Sequence, residues 1–163
     1  MFLKNSLRFS FLLLWLFCPS SKEKVDTDVY AELSIPKLQL QEPIYLKESK
    51  KNDVDQGLYL LPASDYLERE DSQMVILSHS GNASVSYFKH LDQLRIFDTI
   101  TIKIKGTTYF FKVLDIYEEE KDGKIAIKKP KEMSLVLVTC TKYSNHLQTI
   151  VLAKNTGKLV KND

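Results

Sequence analysis

The chain has 163 residues, 44% hydrophobic and 27% charged, a size and balance that fit one ordinary globular domain with a sizeable core. Its formal net charge of +2 gives no support for a nucleic-acid partner, which would want basic residues gathered on one face. The two cysteines, Cys18 and Cys140, lie in segments of different character and make no disulfide framework.

Residues 1–21 differ in kind from the rest. Lys4 and Arg8 precede an apolar run, residues 11–17, bounded by Ser10 and by Cys18-Pro19. A charged start and a short hydrophobic segment read as a signal peptide or a membrane anchor. The run is shorter than the roughly 20 apolar residues of a spanning helix. Pro19 and the polar SSKEK that overlaps and follows it count against a buried N-terminal helix of the domain. Leu16 and Phe17 are bulky where a lipoprotein signal wants a small residue, so lipid attachment at Cys18 is not expected. Residues 22–29 read as a linker and residues 30–160 as the domain.

Within the domain, Leu33, Ile35, Leu38 and Leu40 alternate around Pro36, an edge-strand pattern because proline cannot donate to a ladder. Glu42-Pro43 reads as a turn into Ile44-Tyr45, residues 48–55 as a polar loop or short helix, and residues 57–61 as a brief strand. Residues 64–72 read as a charged surface loop. Residues 74–77 (MVIL) form an apolar strand that ends at His79, followed by the turn chemistry of Ser80-Gly81-Asn82. Val85, Phe88, Leu91 and Leu94 recur at three-residue spacing and predict a short helix over 86–94, with His90 an ordinary surface histidine. Residues 99–105 alternate, Gly106 turns, and residues 109–117 return as a partner strand. Glu118, Glu119, Glu120 and Asp122 read as an acidic loop leading to Ile125-Ala126-Ile127. They could bind a cation such as calcium, but a solvated charge run is the preferred reading, and no cofactor or metal is expected.

Residues 135–153 carry the chemistry: LVLVTC, then TKYSNH, then LQTIVLA, two strands flanking a polar connection. Cys140 ends the first strand, held by a ladder and facing a loop, as a nucleophile would be. A buried apolar filler is the bland alternative for a free cysteine. His79 ends its own strand in the same manner, and an imidazole brought to the same end of the sheet could generate or stabilise the thiolate. His146, in the loop after Cys140, is the rival histidine.

The segments LSIPKLQLQEPIY (residues 33–45), VILSHSGN around His79, YFKHLDQLRIFDTITI (residues 87–102) and LVLVTC ending at Cys140, taken in order, resemble the sortase family, the cysteine transpeptidases that attach proteins to the surface of Gram-positive bacteria. Many short strands without a βαβ rhythm already argue an all-β barrel or sandwich. The resemblance implies the sortase-type closed β-barrel of about eight strands with one or two short helices, preceded by the N-terminal hydrophobic segment. It implies that Cys140 attacks a Leu-Pro-x-Thr-Gly-like sorting signal to give a thioacyl enzyme, that His79 protonates the departing amine, and that an amine of a cell-wall precursor or a pilin resolves the intermediate. Thr139 and Ser80 are expected to contact substrate. The expected partners are surface proteins with a C-terminal sorting signal. The expected location is the extracytoplasmic face of the membrane, held by the N-terminal segment.

One position departs from the family. Sortases usually carry an arginine on the strand after the cysteine, and the alignment of IVLA (residues 150–153) puts Gln148 there. Glutamine offers neutral amide donors where arginine offers a charged fork, and a charge-assisted hydrogen bond is roughly twice as strong as a neutral one. An active variant is expected, with Gln148 helping to hold the oxyanion. Two alternatives stay open: a Cys-His peptidase in which water replaces the amine, and a non-catalytic module that binds sorting signals without cutting them.

Overall fold

The computed structural model describes residues 26–122, 131–142, 144 and 146–161. Eight strands make one sheet: β1 (Val29–Ile35), β2 (Leu40–Tyr45), β3 (Tyr59–Leu60), β4 (Gln73–Leu77), β5 (Thr99–Ile104), β6 (Thr107–Glu120), β7 (Ser134–Cys140) and β8 (Leu147–Val160). Their order is β2-β1-β5-β6-β8-β7-β4-β3, and the edge strands β2 and β3 approach one another, so the sheet curls into a nearly closed barrel. This is the all-β barrel of about eight strands that the sequence predicts.

Local chemistry explains the strands. In β5 the alternation of TITIKI buries Ile100 and Ile102. The β5–β6 turn puts Lys105 and Gly106 at φ 43° and 82°, the left-handed pair whose twist matches that of the flanking strands. The run of β7 is apolar on both faces because both faces are covered. Leu135 and Leu137 belong to the barrel core, while Val136 and Val138 join Val75, Ile150 and Leu152 in a second cluster on the other face. Each such side chain stabilises the fold by about 1.5–3 kcal/mol relative to exposure.

The structure corrects several expectations. β1 is not an edge: it lies between β2 and β5, and Pro36 opens a 3-10 turn, Pro36–Leu38, after the strand ends. The edge strand is β2, which runs straight through the expected turn and carries Pro43. No α-helix forms over 86–94. A 3-10 turn at Leu91–Gln93 takes its place, and the three-residue period that buries Phe88, Leu91 and Leu94 is the period of that tighter winding. Glu118, Glu119 and Glu120 belong to β6 rather than to a loop, paired with Thr149, Gln148 and Leu147. Near the start of the described residues, Asp26 pairs with Lys51, and Asp28 Oδ2 accepts from Ser49 Oγ at 3.0 Å.

The expected anchor (residues 1–21), the first part of the linker and the Ile125-Ala126-Ile127 segment lie outside the described residues. Among the described residues no helix is long and apolar enough to cross a membrane.

Candidate active site

β4 and β7 are the parallel pair of the barrel, with Leu77 beside Val138. Parallel strands end at the same edge, so the residues that follow β4 meet the end of β7. The ladder runs one step further, with the Ser78 N–H donating to the Val138 carbonyl at 3.2 Å. A side chain then fixes the junction: Thr139 Oγ1 donates to the Ser78 carbonyl at 2.8 Å. The next residues along the two chains are His79 and Cys140. On the other side of β7, the antiparallel register with β8 sets Cys140 directly opposite Gln148, and the register of β8 with β6 sets Gln148 opposite Glu119.

Directly opposed residues share a face, so Glu119, Gln148 and Cys140 project to the same side of the sheet. Side chains alternate along a strand. The even-numbered positions of β7 that hold Val136 and Val138 in the second cluster therefore place Cys140 there too, and Val75 and Leu77 set the same phase for His79. Cys140 and Gln148 thus lie side by side on neighbouring strands at the rim of the second apolar cluster, and His79 follows the end of β4, the strand on the other side of β7. Cys140 is half-buried and unbonded to another cysteine, and Gln148 is buried.

Two further groups reach this row. Asp55 Oδ1 lies 2.8 Å from His79 Nε2. An ionised carboxylate only accepts, so Nε2 carries the proton and Nδ1 is left for other chemistry. The pair is exposed, with 43% of the His79 side chain and 81% of the Asp55 side chain open to solvent. It therefore orients the ring more than it stabilises the fold. The Asp55 loop is shaped locally: the Asp55 N–H donates to Asp53 Oδ1 at 2.9 Å, and Gly57, at φ +153°, has the Tyr87 ring where a Cβ would stand, 2.9 Å from the ring edge. Burial first, and then the Glu42 carboxylate, push the Tyr87 hydroxyl above its ordinary pKa. The second group is Lys121, just past β6, whose Nζ lies 3.3 Å from Cys140 Sγ. Sequence reasoning missed both. Asp55 sits in a polar loop without distinguishing signal, and Lys121 follows three glutamates in a run that reads as solvated charge.

The other predicted residues are placed as follows. Ser80 follows His79, half-buried, at the start of an exposed turn. Thr139 is buried, on the opposite face of β7 from Cys140. His146 is exposed, and its backbone carbonyl accepts from the Lys121 N–H at 2.7 Å. His90 is a surface residue within 3.2 Å of Gln93 Nε2. Arg69 pairs with Asp71 and lines a cleft of about 400 Å³ with Asn155 and Gly157, toward the end of β8 remote from Gln148. Arg95 binds the carbonyls of Asp92 and Leu94. Neither arginine lies on the strands that carry Cys140 and Gln148. No group of three or more His, Cys, Asp or Glu among the described residues could hold a metal ion.

A barrel whose parallel strands β4 and β7 end at one edge, one leading to His79 and the other ending at Cys140, is a framework that cysteine-dependent acyl transfer can use. The sortase domain profile matches residues 33–156, and the chain belongs to the sortase family, whose members are cysteine transpeptidases. Among solved structures it is similar to sortase A from Corynebacterium diphtheriae, with 30% identity over 83% of this chain and 63% of that one and a TM-score of 0.68. It is also similar to sortase C1 from Streptococcus agalactiae, with 27% identity over 85% and 72% and a TM-score of 0.68. Sortase E1 from Streptomyces coelicolor, with a tripeptide in its active site, shares the fold at 20% identity over 80% and 90%, with a TM-score of 0.68. No curated protein matches the sequence significantly.

Proposed function

We propose that the protein cleaves a Leu-Pro-x-Thr-Gly-like sorting signal and transfers the acyl part to an amine, with Cys140 as nucleophile, His79 as acid and base, and Gln148 as oxyanion donor. The observation that carries this reading is the register that seats Cys140 between the end of β4 and Gln148 of β8. The Cys140 thiolate attacks the threonine carbonyl carbon, and the electron pair moves to the carbonyl oxygen, toward the Gln148 amide donors. The C–N bond then breaks, and protonated His79 gives its proton to the departing glycine amine. The thioacyl enzyme is resolved by an incoming amine that loses its proton to His79 and restores the thiolate. Ser80, beside His79, contacts the substrate backbone, and Thr139 acts through the bond that ties the two strand ends together.

The accepting amine is one from a cell-wall precursor or a pilin lysine. The charged start and apolar run of residues 1–21 support a short anchor that holds the domain on the extracytoplasmic face of the membrane.

The test is intact mass of the domain, residues 25–163, after incubation with a Leu-Pro-x-Thr-Gly peptide library. A thioacyl adduct is expected in the wild type and absent from Cys140→Ala. His79→Ala is expected to slow its formation, and added amine to discharge it. A folded wild type that binds peptides and never forms an adduct would transfer the assignment to a binding module, a reading that the neutral Gln148 favours. Hydrolysis unaffected by added amine would make the protein a Cys-His peptidase.

A further inference from the structure

Gln148 leaves the row of acting groups without a fixed cation on β8, yet a cation touches the sulfur. Lys121 Nζ donates to Cys140 Sγ at 3.3 Å. Its backbone is anchored rather than loose: β6 pairs with β8 as far as Glu120 and Leu147, and the Lys121 N–H continues that ladder to the His146 carbonyl at 2.7 Å. Lys121 therefore stands one step beyond the end of β8, where no strand separates it from the end of β7. β6 and β7 flank β8 and lie about 10 Å apart, twice the ordinary strand spacing. A lysine stem extended toward a cysteine side chain covers that span, and shorter polar side chains do not. The phase of β6 agrees, because Glu119 faces Gln148 and Lys121, two residues on, returns to the same side.

We propose that Lys121 is a catalytic residue, the counter-charge to the Cys140 sulfur when that atom carries negative charge. This rests on Cys140 being the nucleophile. An ammonium is a compact charge on a flexible stem, so it stays near the charge as the S–C bond forms and the electron pair passes to the substrate oxygen. Two acidic groups border the row: Asp55, whose carboxylate is engaged by His79 Nε2 at 2.8 Å, and Glu119, on the same face as Gln148. Glu119 lies one strand further from the sulfur than Gln148, whereas Lys121 Nζ is 3.3 Å from it, so the nearer field at Sγ is that of Lys121.

The test needs no peptide. Cys140 is alkylated with iodoacetamide, which is neutral, and with iodoacetate, which carries a negative charge. In both reactions the thiolate displaces iodide, so the ratio of the two rates reads local charge independently of how much thiolate is present. Cys18 is outside the domain of residues 25–163, which leaves Cys140 as the reacting thiol. In Lys121→Met the iodoacetate to iodoacetamide ratio is expected to fall roughly fourfold, the Coulomb factor for unit charges about 5 Å apart in water, and Lys121→Arg is expected to retain it. The neutral reagent alone should also slow by roughly two- to fivefold, the range for an exposed ion pair.

An unchanged ratio in a folded Lys121→Met protein, or a ratio lost equally in Lys121→Arg, would overturn the proposal whatever peptides do. A wild type that forms no thioacyl adduct while its ratio still depends on Lys121 would instead count against the transpeptidase reading and leave the charge at the sulfur established.

Discussion

Cys140 and Gln148 are a directly opposed cross-strand pair at the end of the β7–β8 ladder, on one face, and one step further the Thr141 N–H donates to the Leu147 carbonyl at 3.0 Å. Their separation is set by backbone hydrogen bonding, not by a loop. The amide of Gln148 is consequently delivered to the neighbourhood of the thiol by the same ladder that delivers the thiol.

Removing the Gln148 amide tests its part in the chemistry. Loss of a full oxyanion donor costs about a hundred- to a thousandfold in rate, and a neutral donor carries roughly half the strength of a charged one. Gln148→Ala is therefore expected to lower kcat/KM for thioacyl formation by about ten- to thirtyfold. Gln148→Arg is expected to equal or exceed the wild type. Single-turnover mass spectrometry with a cleavable peptide reads both.

Thr139 joins the two chain ends that bear His79 and Cys140. Thr139→Val keeps the shape but leaves the Ser78 carbonyl without this donor, at a cost of about 1–3 kcal/mol. Denaturant unfolding should show that loss, and peptide cleavage should fall with it. Thr139→Ser, which keeps the donor, should recover most of both.

The Asp55 carboxylate orients His79 from an exposed position. Asp55→Asn is expected to lower the acylation rate by roughly two- to fivefold with little change in thermal stability, in keeping with the small worth of exposed pairs. The effect should shrink at high salt, where screening acts over about 3 Å at 1 M. A fall in Tm as large as that of Thr139→Val would show that the carboxylate is structural instead.

Gly57 is the backbone position that lets Tyr87 lie against the Asp55 loop. Gly57→Ala introduces both an unfavourable φ and a 2.9 Å contact with the ring, and is expected to destabilise the domain by about 1–3 kcal/mol. Thermal melts measure it, and the His79 ring should lose its orientation in the same variant.

Stability at high pH has a defined source. Burial, the largest cause, pushes the Tyr30 hydroxyl up to about 12, against which it accepts a hydrogen bond from the Leu67 N–H at 3.0 Å. An unfolded tyrosine releases its proton near pH 10. Above that pH the unfolded chain binds fewer protons than the folded one, so stability falls between pH 10 and about 12. Tyr30→Phe should flatten that fall while lowering stability at neutral pH through the unpaired Leu67 N–H. Urea midpoints across pH 8–11 compare the two.

The strands that hold the site were legible because their residues carry strong signals. LVLVTC is apolar on both faces, as a fully covered strand must be, and MVIL before His79 is the same kind of segment. The strand-terminal placing of Cys140 and His79, and the order of four family-like segments, were enough to name the barrel. Boundaries set by distant partners were not legible. Glu118, Glu119 and Glu120 look like a solvated loop until β8 extends to pair with them, and residues 86–94 look like a helix because a three-residue period belongs to repeated tight turns as well.

What the sequence determined by itself is therefore the all-β class and a cysteine at the end of an apolar strand, because apolar runs, turn residues and a strand end act through near neighbours. What tertiary structure alone decided is which groups meet that thiol. The parallel β4–β7 register brings the end of β4 that leads to His79 beside the end of β7, the β7–β8 register sets Gln148 opposite Cys140, and the bond from the Lys121 N–H to the His146 carbonyl, one step beyond β6, holds Lys121 with its Nζ 3.3 Å from the sulfur. These pairings join residues far apart in the chain, and their register depends on burying both faces of β7 at once, a condition that exists only in the closed sheet.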